Sequence, residues 1–238
     1  MPSQSMAPES GASIKTGAFM NHPLVIDYYN DILCVWAWIA QRRLDELNKQ
    51  LAGQIEFRFH YMDVFGNVPK KMATQWRERG GYQGFAQHVN ASAMVFEDAS
   101  INDKIWTRVR PTTSANAHLI LKAIELTHDQ STSINMALVY RTAFFKDALD
   151  ISDLNVLKEL AAANSLDVID INKNLNNGTA MAALMADYQE SKQSQLKGSP
   201  TYILDGGRQT LYGNVGYRVL LANIEELLRT PEKEASWC

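Results

Sequence analysis

Residues 24–61, LVIDYYNDILCVWAWIAQRRLDELNKQLAGQIEFRFHY, contain the pattern that decides the fold. An apolar run over residues 24–29 is closed by two polar residues, which is typical of a buried strand that ends in a turn. The next segment repeats alanine and leucine at helical spacing and ends at Gly53. Apolar and polar residues then alternate over residues 55–61, as in a strand of period two. The stretch therefore predicts a β-α-β unit, and a connection of this length favours parallel strands.

The middle of the chain shows no strand pattern between about residues 70 and 197. Apolar residues recur at helical spacing in successive segments, near residues 85–96, 114–126, 133–148, 152–161 and 179–188. Ser152 and Thr179 are predicted to cap the last two of these helices. The segment predicts a helical block inserted into the chain, with its apolar stripes forming a core.

Strand patterns return near the end of the chain. Residues 201–204 are apolar, Gly206 and Gly207 allow a tight turn, and residues 208–212 return as a second strand. A last amphipathic helix is predicted over residues 217–228. The order predicts an α/β protein in which a large all-helical insertion interrupts the sheet domain. The sheet domain would comprise residues 22–62 and 198–230, and the helical domain residues 63–197.

The composition excludes several classes of protein. Of the 238 residues, 46% are hydrophobic and 21% charged, which is typical of a folded globular chain rather than a disordered one. The net charge of −3 gives no basic surface for a nucleic acid, and no apolar run is long enough to span a membrane. Residues 1–21 lack the apolar core of a signal peptide and are predicted to be a disordered tail, and residues 231–238 a C-terminal tail. A cytoplasmic protein is expected.

The two cysteines, Cys34 and Cys238, are too few for a disulfide framework or a four-ligand zinc site. The five histidines show no short metal-ligand spacing, so no metal is expected. Cys34 follows the first strand directly and stands where the first helix begins. Amide N–H groups and the helix dipole stabilise an anion at that position, which predicts a lowered thiol pKa and a reactive cysteine. The alternative is a small buried hydrophobe, the usual role of a free cysteine.

A second feature supports the reactive interpretation. The segment Gly198-Ser199-Pro200-Thr201 comes directly before a predicted strand. A proline that opens a strand is compatible with a cis peptide bond, and we predict that Pro200 is cis and lies close to Cys34. The alternative is an ordinary loop proline. Asp27 in the first strand is a further candidate, as a buried carboxylate that relays protons near Cys34.

Together, these features resemble the DsbA-like thioredoxin superfamily. The resemblance is to its cytoplasmic branch, which includes FrnE-type disulfide oxidoreductases, 2-hydroxychromene-2-carboxylate isomerases and kappa-class glutathione transferases. It covers about residues 22–230. The matching stretches are residues 27–38 (DYYNDILCVWAW) with Arg42-Arg43-Leu44, residues 117–119 (AHL), residues 144–160 around Asp150-Ile151-Ser152-Asp153, and residues 198–201 (GSPT).

The resemblance implies a thioredoxin-like fold and a role for each matching position. Cys34 falls where the family places its attacking cysteine or catalytic serine, and Pro200 falls on the family's cis-proline. Ser199 would lend backbone groups to a bound peptide or glutathione. The substrate or glutathione would also contact Asn67, in a loop that resembles the branch's glutathione-binding loop, and the residues after the cysteine, Val35, Trp36 and Ala37.

Two departures from the family pattern affect the expected reaction. Ala37 stands where a dithiol oxidoreductase has its second cysteine, so no disulfide can form within this motif. The stretch Gly213-Asn214-Val215-Gly216 lacks the acidic–basic pair with which the transferase and isomerase branch holds glutathione. The loop that contains Asn67 therefore favours glutathione binding, whereas the missing acidic–basic pair argues against it.

Three functions remain open. The first is a monothiol disulfide oxidoreductase, in which Cys34 forms a mixed disulfide that an external thiol such as glutathione resolves. The second is a glutathione-dependent isomerase or transferase, and the third a non-catalytic binding module. No bound cofactor is expected, and glutathione would act as a co-substrate. The expected partner is a thiol, disulfide or glutathione-linked small molecule, and the oligomeric state is left open, a homodimer included.

Overall fold

The computed structural model describes residues 22–229. The predicted tails at residues 1–21 and 231–238, and with them Cys238, lie outside the described residues. The chain forms four strands within the described range: β1 (Leu24–Asn30), β2 (Ile55–Tyr61), β3 (Thr201–Leu204) and β4 (Gln209–Tyr212). Its helices are α1 (Val35–Gln50), α2 (Val68–Thr74), α3 (Gly81–Ala93), α4 (Ala115–Thr127), α5 (Gln130–Phe145), α6 (Leu154–Ala163), α7 (Val168–Asn176), α8 (Thr179–Gln193) and α9 (Tyr217–Arg229).

The strands form one mixed sheet in the order β2-β1-β3-β4. Strand β1 pairs parallel with β2, as the length of the α1 connection predicts, and antiparallel with β3. Strand β4 pairs antiparallel with β3, and a short 3-10 turn over Asp205–Gly207 joins them. This topology is the predicted thioredoxin-like fold. Between β2 and β3 the described chain contains helices and one isolated β-bridge, but no strand.

Two of the predicted helix caps are wrong. Asp153, rather than Ser152, caps α6, because its carboxylate accepts the N–H of Asn155 at 2.8 Å. Gly178, rather than Thr179, is the cap residue of α8, and Thr179 begins the helix. In both cases neighbouring residues suit the same role, and the local pattern does not distinguish them.

Helix α1 packs in two different surroundings. Its C-terminal half, with Leu44 and Leu47, belongs to a hydrophobic cluster built from the strands and α9. Its N-terminal half, from Cys34 to Ile39, belongs to a larger cluster built from the inserted helices. The insertion therefore covers the end of α1 that carries Cys34, and this sets the environment of the thiol.

Candidate active site

Cys34 is the cap residue of α1, as its place in the sequence predicts. Its carbonyl accepts the N–H groups of Ala37 and Trp38, each at 3.1 Å, and its own N–H donates to the Asp31 carbonyl at 3.1 Å. These bonds turn the chain directly from β1 into α1. The side chain is only 6% exposed, so the sulfur lies at the surface of the core rather than in open solvent.

Ser199 and Pro200 lie against this turn. The Ser199–Pro200 peptide bond is cis, and the Cys34 thiol donates to the Ser199 carbonyl at 3.3 Å. The Ser199 hydroxyl in turn accepts the backbone N–H of Asp31 at 2.9 Å. Residues 165 positions apart in the chain thus form one site, because β3 lies beside β1 in the sheet.

The predicted lowering of the Cys34 pKa is wrong. Burial raises the pKa of the thiol, and hydrogen bonds with Ser199 and with backbone groups of α1 only partly oppose this. The Asp31 carboxylate nearby raises it further. The helix terminus acts as expected, but desolvation by the inserted helices outweighs it.

Asp31 is a site residue that the sequence analysis did not identify. The side chain is fully buried and accepts hydrogen bonds from the N–H groups of Leu33 and Phe65, at 2.9 and 2.8 Å, and from the Ser114 hydroxyl at 2.8 Å. Burial raises its pKa from 3.8 to about 6, despite these donors. A sequence signal did exist, since an aspartate closes the predicted strand three residues before the cysteine, but a turn carboxylate is usually solvated.

His118 supports the same turn from α4. Its Nε2 accepts the Ile32 N–H at 3.0 Å, and its Nδ1 lies 2.9 Å from the Tyr188 hydroxyl. Burial lowers the pKa of His118 to about 3, so the ring is neutral. Because Nε2 is an acceptor, the proton resides on Nδ1 and is donated to Tyr188. His118 positions the backbone before Cys34 and carries no charge.

The loop between β2 and α2 lies on another side of the turn. Asn67 caps α2, since its side-chain oxygen accepts the Lys70 N–H at 3.0 Å. It also lines a cavity of about 420 Å³ together with Lys70, Lys71 and Tyr188. Lys71 is half-buried, and its Nζ lies 5.0 Å from the centroid of the Phe65 ring, whose backbone N–H donates to Asp31. The structure thus brings Lys71, which the sequence analysis did not select, towards the predicted site.

The other predicted contact residues follow Cys34 on α1. Val35 and Ala37 are buried in the core, whereas Trp36 is partly exposed. The loop after β4, where the branch's acidic–basic pair is missing, is tied to α1 instead. Arg43 donates to the Asn214 side chain at 2.7 Å and to the Val215 carbonyl at 2.8 Å.

Asp27 lies on the other face of the sheet from Tyr28, because strand residues alternate. Its carboxylate binds His60 Nε2 at 2.9 Å, and His60 Nδ1 lies 3.3 Å from Asp187 of α8. Asp187 also pairs with the buried Lys122 at 3.0 Å. Burial opposes charge on His60, but the two carboxylates outweigh it and raise its pKa to about 9. This cluster joins the sheet to the insertion, and the carboxylate that borders Cys34 is Asp31 rather than Asp27.

Residues 22–229 contain neither a candidate metal site nor a helix that could cross a membrane. No group of three or more His, Cys, Asp or Glu side chains there could hold a metal ion. Within the same range, no helix is both long and apolar enough to cross a membrane.

The family model for the DsbA-like thioredoxin domain matches residues 25–225 of the chain. Among curated proteins, none matches. The match spans the sheet, the helical insertion and the residues of the site, and so includes both halves of the predicted sheet domain.

Solved structures share the fold over nearly the whole chain. A candidate protein disulfide isomerase from Nitrosomonas europaea has a TM-score of 0.72 at 14% identity, covering 87% of this chain and 98% of its own. The cytosolic disulfide reductase DsbM from Pseudomonas aeruginosa has a TM-score of 0.63 at 18% identity, covering 86% and 100%, and a second DsbM structure contains GSH. A 2-hydroxychromene-2-carboxylate isomerase has a TM-score of 0.59 at 14% identity, covering 89% and 100%. At these identities the likeness shows the fold.

Proposed function

Because this chain belongs to the family of DsbA-like thioredoxin domains, we propose that it is a thiol-disulfide oxidoreductase that works through one cysteine, Cys34. The observation that carries the proposal is the position of the Cys34 sulfur, 3.3 Å from the Ser199 carbonyl, at the point where β1 turns into α1. A substrate disulfide that approaches this turn would meet a single thiol with backbone groups on both sides.

The proposed reaction proceeds in two exchanges. The Cys34 thiolate attacks one sulfur of the substrate disulfide, forms a mixed disulfide and releases the other substrate sulfur as a thiolate, which takes up a proton. An external thiolate then attacks the mixed disulfide, forms a new disulfide with the substrate sulfur and releases the Cys34 thiolate. These two exchanges consume one external thiol and leave a mixed disulfide between it and one substrate sulfur. A second external thiolate must attack that disulfide to release the substrate thiol, and the two external thiols then leave as their own disulfide, having supplied the two electrons. Ala37 makes the external thiol necessary, since position 37 carries no sulfur.

Glutathione is the external thiol that we propose. The 420 Å³ cavity beside the turn is lined by Lys70 and Lys71, which suits the carboxylates of this tripeptide. Its acidic lining residue, Asp63, pairs with Lys192 at 3.2 Å, so this carboxylate is partly neutralised. The presence of GSH in a DsbM structure is consistent with such a co-substrate. The cytoplasm, where glutathione keeps thiols reduced, is the compartment that we propose.

A specific observation favours a second candidate, a glutathione-dependent isomerase or transferase. The raised pKa of Cys34 keeps it a neutral S–H donor at physiological pH. Such a group can donate a hydrogen bond to the thiolate of bound glutathione without forming a covalent bond. A serine hydroxyl at the same position could act in the same way. This mechanism needs no disulfide at any stage.

The test is treatment with oxidised glutathione, followed by intact-protein mass spectrometry. We expect one glutathione adduct, which is absent in Cys34→Ser and retained in Cys238→Ser. The adduct should disappear when reduced glutathione is added, and the wild-type protein should then reduce a small disulfide catalytically. An unmodified Cys34 combined with glutathione conjugation or isomerase activity would replace the first candidate by the second. If Cys34 reacts neither with glutathione in either redox state nor with an alkylating agent, the non-catalytic binding module is the hypothesis that remains.

A further inference from the structure

We propose that a cavity between α1, α5 and the residues that follow α3 binds a small monocarboxylate with an apolar body, at a site separate from the active-site turn. This α1–α5 cavity has a volume of about 770 Å³, and small-molecule sites usually occupy about 300–1,000 Å³. The inference goes beyond the proposed function and does not rest on it. The walls are formed by residues of α1 between Trp38 and Asp45, by residues 95–99, and by Leu138, Thr142 and Lys146.

The α1–α5 cavity begins one helical turn beyond Cys34. Trp38, four residues after the cysteine, is the first residue of α1 in its wall, and Cys34 does not line it. An ion pair between Arg42 and Asp98 joins α1 to a short 3-10 turn over Glu97–Ala99. The 420 Å³ cavity that contains Asn67 shares no lining residue with this one. A ligand here would therefore leave the proposed glutathione cavity free.

Part of the wall is apolar and suits an apolar ligand. Ile39 is buried in the core of the insertion, and Phe96 and Leu138 are partly buried against that core. Val95 belongs to the same wall and is 72% exposed, although it is apolar. An apolar body that covers these side chains would release water from them, which favours binding.

Trp38 provides an independent indication of a ligand. Its side chain is only 7% exposed, and its Nε1 is buried with no hydrogen-bond partner in residues 22–229. A buried N–H group that lacks an acceptor costs free energy. Because Trp38 lines the cavity, an atom of a bound ligand can supply this acceptor. An indole N–H is a donor only, so the ligand must present an acceptor such as an oxygen.

A cation beside the indole favours a charged acceptor over a neutral one. Lys146 Nζ lies 5.6 Å from the centroid of the Trp38 ring, and within the described range it has no carboxylate closer than 4.0 Å. Behind the wall, the fully buried guanidinium of Arg141 donates to the side-chain oxygen of Gln41 at 3.0 Å. A carboxylate that accepts the Trp38 N–H would also lie near the Lys146 ammonium, whereas a neutral oxygen would gain only the first interaction.

The acidic residues of the wall do not cancel this preference. Asp98 is paired with Arg42, and Asp45 accepts a hydrogen bond from Gln41 Nε2 at 2.9 Å. Asp45 and Glu97 are exposed, so water and salt screen their charges. The Trp38 N–H, in contrast, is buried, and an interaction with it is screened much less. One negative charge on the ligand is therefore favoured, and a positive charge would leave the indole without an acceptor.

The experiment measures the binding of phenylbutyrate, phenylbutanol and phenylbutylamine to the full chain by isothermal titration calorimetry. The three probes share one apolar body and differ in their charge. We expect phenylbutyrate to bind at a single site, about fivefold more tightly than the alcohol and at least about tenfold more tightly than the amine. No binding of phenylbutyrate, or tighter binding of the amine, would overturn the proposal.

Variants locate the charge that the probe meets. Lys146→Met should weaken phenylbutyrate binding about threefold and leave phenylbutanol unchanged, and Lys146→Arg should restore most of the affinity. Lys49→Met is the matched control, because Lys49 is a lysine of α1 that does not line the cavity. Equal effects of the two methionine variants would contradict the proposal.

Two further variants test the cavity itself. Trp38→Phe removes the N–H and should weaken the binding of both phenylbutyrate and phenylbutanol. If circular dichroism shows that this variant unfolds, Thr142→Phe replaces it, since a larger side chain at this partly exposed position fills the cavity and should abolish the binding of all three probes. Unchanged binding in the folded variant would contradict the assignment.

Competition with glutathione distinguishes this cavity from the active site. Protein that carries a glutathione adduct on Cys34 should bind phenylbutyrate with unchanged affinity, and reduced glutathione serves as the competitor if no adduct forms. Displacement of the probe by glutathione would place it in the active site and overturn the proposal. Binding as expected in a protein whose Cys34 forms no adduct would uphold the α1–α5 cavity and reject the redox function.

Discussion

The Asp31 carboxylate and the His118 imidazole lie 3.9 Å apart in the core of the site, yet they do not form an ion pair. His118 is neutral, because Nε2 accepts the Ile32 N–H and burial lowers its pKa to about 3. Asp31 is bound by backbone N–H groups and a hydroxyl rather than by a cation. Both side chains accept backbone N–H groups of the two residues before Cys34, Ile32 and Leu33.

The first prediction concerns His118. In His118→Phe, the buried Ile32 N–H loses its acceptor, which should cost about 1–3 kcal/mol of unfolding free energy. His118→Gln can place an amide oxygen near the position of Nε2 and should lose less. Urea unfolding of both variants measures the difference. A phenylalanine variant as stable as the glutamine variant, or more stable, would contradict the prediction, because the acceptor would then give no advantage over the ring.

The second prediction concerns the effect of Asp31 on the stability of the protein at acid pH. Burial raises its folded-state pKa from 3.8 to about 6, so the folded protein binds more protons than the unfolded chain between these values. Asp31 should therefore make the protein less stable as the pH rises from about 4 to 6, by about 3 kcal/mol. Asp31→Asn should remove this part of the pH dependence, although it also weakens the hydrogen bonds of the turn. Unfolding free energies at pH 4.5 and 7 for both proteins test it, and an unchanged slope in the variant would contradict the assignment.

The third prediction concerns the effect of His60 on the stability of the protein at alkaline pH. Its folded-state pKa is raised to about 9, so the stabilisation by Asp27 and Asp187 is complete below about pH 6.5 and is lost as the pH rises through 9. The loss should amount to about 3 kcal/mol. His60→Gln should be less stable at pH 6 and should show a flatter profile up to pH 9.5. Chemical-shift titration of the His60 ring gives the pKa directly, and a midpoint near 6.5 would refute the prediction.

The local parts of this structure are those that the sequence predicts well. Strand and helix periods identify β1, α1 and β2, and the position of Cys34 follows from two adjacent elements. What the sequence does not predict depends on distant residues. Asp31 is buried because Phe65 and Ser114, 34 and 83 residues away, supply its donors. The Cys34 pKa is raised rather than lowered because inserted helices cover the start of α1, and no pattern near Cys34 reports that.

The last prediction restores the missing sulfur of the motif. Ala37 is fully buried one turn after Cys34, and its N–H donates to the Cys34 carbonyl at 3.1 Å, so the two residues lie on the same side of the first helical turn. The Cα atoms of residues three apart in a helix are about 5 Å apart, which is within the Cα range that a disulfide needs. Ala37→Cys should therefore let a second thiolate displace glutathione from Cys34. The cost of a larger side chain at a packed position is about 1–3 kcal/mol.

With oxidised glutathione, Ala37→Cys in the Cys238→Ser background should give an internal disulfide, seen as the loss of two hydrogens and no adduct. Ala37→Ser has a similar size without a sulfur and should retain the adduct of the parent protein. Persistence of the adduct in Ala37→Cys would show that the buried position keeps the second thiol away from Cys34. In that case the monothiol chemistry would follow from packing around α1 rather than from the absence of a cysteine alone.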